Sequence, residues 1–199
     1  MTDDLEWCRA FIDHNCIYRS PPGELIITSP DYSTNAWQFY MPIAVLDQEF
    51  AERVANLFWD RYRTVWLDTH FQLCGCESGG SLLVSALQDA HVNAFMIKKA
   101  AKSYGLQNWL EGVVDPDLPV LLVDDVVGSG KTMRAQYHRL ESFGLKVMGC
   151  WAIASCKGAP ILGGKHNFEA LFKPSDFARL HPEYTRKYGK EPQFLGTVI

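Results

Sequence analysis

The sequence predicts an α/β fold in which helices flank both faces of a parallel sheet. Three observations predict it. Apolar runs such as Val120–Val123 and Leu145–Ala154 lack the polar alternation of a half-exposed strand. Segments with apolar residues three and four apart lie among these runs. Glycine-rich turns follow two of the strands, at Gly75–Gly80 and at Gly128–Gly130. Sheets of this kind bind ligands at the carboxyl ends of their strands.

Each element has its own signal. Residues 1–45 are aromatic-rich and read as largely irregular, with a short helix over Leu5–Cys16 that Pro21-Pro22-Gly23 breaks. Leu25–Thr28 is extended, and Ser29-Pro30-Asp31 is a turn. A helix spans Asp47–Arg63, with Asp47 as its N-cap and Phe50, Val54, Leu57 and Phe58 on one face. Phe71–Cys74 is a short strand, Ser81–Asn93 a helix and Ala94–Ile97 a strand. After the strand Val120–Val123, a helix over Lys131–Phe143 is closed by Gly144. Leu145–Ala154 is another buried strand. A final helix over Pro174–Leu180 precedes a polar tail. The sequence contains no internal repeat, low-complexity tract or interdomain linker, so a single domain over 1–199 is expected.

Bulk composition narrows the function classes. The 199 residues are 47% apolar and 21% charged, ordinary for a globular domain. A net charge of -4 offers no basic field for nucleic acid. No apolar run is long enough to cross a bilayer. The first residues lack the basic and apolar regions of a signal peptide, so the expected location is cytoplasmic. The six cysteines have neither zinc-ribbon spacing nor the density of a disulfide scaffold, and read as reduced core or loop residues.

The chemistry concentrates in Val120-Leu-Leu-Val-Asp-Asp-Val-Val-Gly-Ser-Gly-Lys-Thr132. Asp124 and Asp125 stand at the end of a buried strand. Two carboxylates there can accept hydrogen bonds from vicinal hydroxyls, or hold a divalent cation directly or through water. On extended backbone, adjacent side chains point to opposite faces, so both reach one cleft only if the chain bends. Gly128, Ser129, Gly130, Lys131 and Thr132 then open a helix. Small residues let backbone N–H groups converge on an anion, and the helix N-terminus adds partial positive charge. The pair suits a phosphorylated sugar, with its diol on the acids and its phosphate on the loop. A P-loop would need glycine at position 125, which is Asp125. A strand with an acidic end and no ligand is disfavoured, because paired buried acids are costly without partners.

That stretch closely resembles the phosphoribosyl pyrophosphate signature of type I phosphoribosyltransferases. The resemblance covers roughly residues 68–158. It implies a core of about 60–160 with a small hood formed by terminal segments. It also implies that Asp124 and Asp125 hold the ribose hydroxyls, with Asp125 orienting the reacting ribose, that residues 128–132 bind the 5′-phosphate, and that Val126 and Val127 belong to the substrate-binding set. Cys76, Glu77, Ser78 and Gly79 match the family's pyrophosphate turn, where an unusual peptide geometry is expected at Cys76–Glu77. A redox role for Cys76 is the weaker reading, since no catalytic partner accompanies it. Lys98-Lys-Ala-Ala-Lys-Ser-Tyr-Gly105 resembles the mobile catalytic loop of the orotate-specific branch, and Leu110-Glu111-Gly112 its end. On this basis Lys98, Lys99 and Lys102 are catalytic, Tyr104 binds substrate, and the protein is a homodimer whose loop is shared between sites. A solvated helix face is the alternative for the lysines. Mg2+ is the implied cofactor, held at Asp124 and Asp125.

The acceptor half departs from that branch. Thr28 replaces a lysine in the turn Ile27–Ser33, which keeps Ser29 and Ser33. Ala154 and Ser155 stand where the branch has Asp-Arg, with Lys157 a nearby cation. Trp37, Phe39 and Tyr40 offer aromatic faces, either for a base or for the core of the hood. The expected function is transfer of phosphoribosyl to a nitrogenous base, with orotate first. The alternatives are another base, or a regulatory protein that binds phosphoribosyl pyrophosphate without turnover.

Overall fold

The structure, a computed structural model, describes residues 3–20, 24–27, 34–89, 91–100, 108–156, 167–177 and 180. In chain order the helices are α1 (Asp3–Asn15), α2 (Pro42–Val45), α3 (Gln48–Thr69), α4 (Gly79–Leu87) and α5 (Lys131–Ser142). The strands are β1 (Ile17–Arg19), β2 (Ile26–Ile27), β3 (Thr34–Asn35), β4 (Trp37–Phe39), β5 (Gln72–Cys76), β6 (Ala94–Ile97), β7 (Leu110–Gly112), β8 (Val120–Val127), β9 (Val147–Ser155) and β10 (Asn167–Phe172).

The main sheet has the order β10-β9-β8-β5-β6-β7. Its pairs are parallel except β6–β7, which is antiparallel and makes the sheet mixed. The segment Leu110–Gly112, expected as the end of a loop, is therefore an edge strand. Gly112 permits it: at its φ of 119°, a Cβ would lie 2.9 Å from Ala94 O and Phe95 Cα.

Alternation along the strands builds two cores. Leu73, Leu121, Val123, Trp151 and Ile153 share one with Ile12 of α1, Phe50 and Phe58 of α3, and Leu83 and Leu87 of α4. Cys74, Phe95, Ile97, Leu122 and Cys150 share the other with Met133, Tyr137 and Leu140 of α5. Helices thus cover both faces, as the unalternating strands require.

Several boundaries move, for physical reasons. Helix α3 begins where expected: Asp47 Oδ1 accepts the Phe50 N–H at 2.9 Å. It runs past Arg63 to Thr69, because no breaker intervenes before His70 takes a left-handed φ of 48°. Replacing Asp47 by Ala should cost about 1 kcal/mol, a fall of about 2–4 °C in Tm for a chain of this size by thermal unfolding. Helix α4 starts two residues early and stops at Leu87 instead of Asn93. The Trp59 indole N–H donates to Leu87 O at 2.9 Å, and Asp89 then organises a turn by accepting the His91 N–H.

Toward the end of the chain, where a helix over Pro174–Leu180 is expected, the described residues form a 3-10 turn over Pro174–Asp176, and Phe177 leaves it. The strand β10, absent from the sequence reading, extends the sheet beyond residue 160. Glu169 hides it in the sequence by interrupting the apolar run. In the fold, Glu169 pairs with Arg61 at 2.6 Å and accepts the Tyr62 hydroxyl at 3.1 Å.

The N-terminal part is more ordered than irregular. β1 pairs with β4, and β2 with β3, both antiparallel. Phe39 is a core residue, its ring 5.2 Å from Trp37 and 5.4 Å from Phe177, and so is not free to stack on a base. Tyr40 is exposed. Among the described residues, no helix is long and apolar enough to cross a membrane.

Candidate active site

The site is built at the carboxyl ends of β5 and β8, which are parallel neighbours. The chain leaves β5 through Glu77 and Ser78 and enters α4 at Gly79-Gly80. The Glu77–Ser78 peptide is cis, one bond later than the sequence reading places the unusual geometry. Three glycines allow the backbones to close in. A Cβ on Gly75 would lie 2.3 Å from Gly80 O, and one on Gly80 would lie 2.5 Å from Val123 O. A Cβ on Gly79 would lie 2.3 Å from the Asp125 carboxyl group.

This corner gathers both acids. Asp125 meets Gly79, while Asp124 Oδ1 is 3.1 Å from where a Gly80 Cβ would stand. Strict alternation would separate the two, but here both approach the start of α4. Each folds back on the chain: Asp124 Oδ1 accepts the Asp125 N–H at 3.0 Å, and Asp125 Oδ1 accepts the Val126 N–H at 2.8 Å. Asp124 is 9% exposed. Burial holds its carboxyl well above the usual aspartate range, and the neighbouring Asp125 adds to this. Burial also raises Asp125. The Lys99 charge opposes both shifts. A buried acid and a half-buried one, both resisting ionisation alone, are poised for a partner with hydroxyl donors or positive charge.

The loop that follows is open. Gly128, Ser129, Lys131 and Thr132 are exposed, and a Cβ on Gly128 would meet nothing within 4 Å. Gly130 takes a left-handed φ of 74° as the N-cap residue of α5, without a side-chain cap. The Cys156 N–H donates to Val127 O at 2.8 Å and pins the loop's origin to β9. The first N–H groups of a 12-residue helix thus stand behind an exposed turn, the arrangement that favours a phosphate.

Other residues of the expected site fall as follows. The Cys76 thiol is fully buried, and burial pushes it well above its ordinary value, the reverse of a reactive thiolate. Glu77 accepts the Lys99 N–H at 2.7 Å. Lys98 is buried and ion-paired with Glu111 of β7, whereas Lys99 is exposed. Lys102 and Tyr104 lie outside the described residues, as do Thr28, Ser29, Ser33 and Lys157. Glu111 as the Lys98 partner was not legible in the sequence. Nor was the Arg139 guanidinium stacked over Trp109, 4.0 Å from the ring centroid. An antiparallel return strand after Lys98 would have been the signal for both. Among the described residues, no group of three or more His, Cys, Asp or Glu side chains could hold a metal ion. Asp124 and Asp125 form a pair only. That suits a hard cation that arrives with its phosphates and keeps several waters.

A mixed sheet between helices, with paired acids at one strand end and glycine turns at two, has the fold of the type I phosphoribosyltransferases. The comparisons with known proteins lead to the same fold. The orotate phosphoribosyltransferase of Mycobacterium tuberculosis superposes with a TM-score of 0.69 at 16% identity, over 87% of this chain and 98% of that one. In sequence, the chain is 27% identical over 100 residues to the orotate phosphoribosyltransferase of Aquifex aeolicus, covering 47% of this chain. That match spans about half of the relative's length, 52%. The chain is also 28% identical over 163 residues to the adenine phosphoribosyltransferase of Methylobacillus flagellatus, covering 74% of this chain and 89% of that protein. No family model matches the chain.

Proposed function

We propose that the protein transfers the phosphoribosyl group of phosphoribosyl pyrophosphate to a nitrogenous base, with orotate as the acceptor and pyrophosphate as the leaving group. The observation that carries this reading is the convergence of Asp124 and Asp125 on the Gly79–Gly80 corner, one strand end away from an open phosphate-type loop. Residues 128–132, with Val126 and Val127, take the 5′-phosphate. Asp124 and Asp125 accept the two ribose hydroxyls, and Asp125 orients the ring for attack at C1. A ring nitrogen of the base forms the new bond to C1 as the bond to the pyrophosphate oxygen breaks, and the proton that nitrogen carried passes to solvent. Positive charge then develops on the ribose and negative charge on the departing group.

Lys99 and Lys102 neutralise that group. Lys98 joins them only by giving up Glu111. Cys76, Glu77, Ser78 and Gly79 frame the pyrophosphate side, and Tyr104 closes the substrate-binding set. Asp124 and Asp125 would hold Mg2+ directly or through water, and the ion would supply charge neutralisation for the leaving group. The loop resemblance supports orotate and a homodimer in which Lys102 and Tyr104 reach the partner's site. Placing the substrates contributes much of the rate in such a reaction.

One observation favours a second acceptor class. Ala154 and Ser155, at the end of β9, are buried and uncharged, and the Ser155 hydroxyl has no hydrogen-bond partner. A neutral purine suits that end better than a carboxylate does. The test is to incubate the protein with Mg2+, phosphoribosyl pyrophosphate and a panel of bases, and to measure pyrophosphate release. Release with orotate alone is the expected result. Release with adenine alone moves the acceptor to the purines. Binding of phosphoribosyl pyrophosphate with no release on any base overturns the transferase reading in favour of a regulatory binder.

A further inference from the structure

We propose that Glu77 is a positioning residue, whose carboxylate fixes the main chain at Lys99 and so aims that lysine at the paired acids. The inference rests on the transferase reading above. Parallel pairing of β5 with β6 ends at Cys76 and Ile97. Glu77 continues it in two ways. Its N–H donates to Ile97 O at 3.1 Å, and its Oε2 accepts the Lys99 N–H at 2.7 Å. The side chain thus stands in for one more residue of strand.

The opposite flank is held as well. The Lys98 N–H donates to Trp109 O at 2.9 Å, and the Lys98 ammonium is buried against Glu111. Trp109 lies under Arg139 of α5, whose N-terminus is the phosphate-type loop. Lys98 is turned inward and buried, while Lys99, in the bend that follows β6, is exposed. The Lys99 charge also bears on both Asp124 and Asp125, favouring their ionised forms.

A direct grip on pyrophosphate is poor chemistry for Glu77. An ionised carboxylate offers acceptors only, and pyrophosphate needs donors. A carboxylate accepting a backbone N–H makes one of the stronger hydrogen bonds. The useful product of that bond is the placement of its neighbour.

The test compares Glu77→Ala and Glu77→Gln with the wild-type chain. Glu77→Ala should speed exchange of the Lys99 amide in the ligand-free protein, read by NMR, by about tenfold, the loss expected of one charge-assisted bond. It should lower kcat by about tenfold and leave KM for phosphoribosyl pyrophosphate within about twofold. Glu77→Gln keeps an acceptor oxygen and should restore most of both properties. In a Lys99→Ala background, Glu77→Ala should cost kcat nothing more. Unchanged Lys99 exchange in Glu77→Ala overturns the proposal. So does a change confined to KM, or additive losses in the double variant. If the wild-type chain transfers to no base, the exchange measurement still decides whether Glu77 holds Lys99, and the transferase reading fails separately.

Discussion

Replacing Asp124 by Asn should raise the Tm of the ligand-free protein while removing most of its affinity for phosphoribosyl pyrophosphate. The stability gain follows from burial. Asp124 is 9% exposed beside a second acid, and ionising it there is costly. An amide of the same shape carries no charge, and its Oδ1 still accepts the Asp125 N–H. Its NH2 can donate to the Asp125 carboxyl, the side chain to which Asp124 is already hydrogen-bonded, and the gain from removing the charge is about 1–2 kcal/mol, or roughly 2–8 °C. The affinity loss follows from the ligand. A hydroxyl bonded to a carboxylate is worth about 1.5–3 kcal/mol more than one left unmade, a factor of about 10–150. Calorimetric titration and thermal unfolding of the same preparations measure both effects. Affinity unchanged in both Asp124→Asn and Asp125→Asn would falsify the assignment of the ribose site.

The same acids set a pH dependence of definite sign. Their folded-state values lie above the ordinary aspartate value of about 3.9. The folded protein therefore binds protons more readily than the unfolded chain. Their contribution is favourable below about pH 4 and is lost as pH rises through the raised values. Ligand binding runs the other way, because the acids must lose their protons to accept ribose hydroxyls. Affinity for phosphoribosyl pyrophosphate should rise over the same window. In Asp124→Asn the stability decline should flatten. An identical pH profile in wild type and variant would remove Asp124 as its source.

The second large effect belongs to Gly75. In Gly75→Ala the new Cβ would meet Gly80 O at 2.3 Å, Gly80 C at 2.7 Å and Ser81 Cα at 3.0 Å. All three are backbone atoms, so relief requires α4 to back away from the sheet. Overpacking of this kind costs about 1–3 kcal/mol or more, a Tm fall of roughly 2–12 °C. Gly79→Ala is different in kind. Its obstacle is the Asp125 carboxyl group, which can rotate away, so stability should change little while sugar binding is lost. Gly128→Ala meets nothing within 4 Å and should leave stability unchanged. Thermal unfolding of the three variants should rank Gly75→Ala lowest. Equal melting temperatures would contradict the close approach of β5 and α4.

How far the sequence could be read depended on how local each signal was. Val120–Val123 and Ala94–Ile97 were legible because uninterrupted apolar runs leave few alternatives to buried strands. Asp47 and Gly144 marked helix ends through capping chemistry that needs only neighbours. The acids and the glycine turns were legible as residue types. Their convergence was not, because it depends on Gly80 of α4 meeting Val123 of β8. β10 was obscured by Glu169, whose partners Arg61 and Tyr62 lie on α3. β7 was obscured because two exposed residues in three leave no alternation to find. Lys98 and Lys99 look equivalent in sequence, and only the return strand carrying Glu111 tells them apart.

The close approach of Gly75, Gly80 and Val123 also bears on how the protein comes to be. β5 and β8 are adjacent in space, but α4 and the β6–β7 hairpin separate them along the chain. Parallel neighbours cannot form until the intervening chain has crossed over. The acid-lined corner therefore requires the whole chain from β5 to β8, and has no counterpart in any short fragment. A peptide bearing Val120–Thr132 alone holds the signature without the surroundings that raise its acids. Along the chain the Gly75–Gly80 turn comes well before Asp124 and Asp125, and the two meet only when β8 slots between β5 and β9.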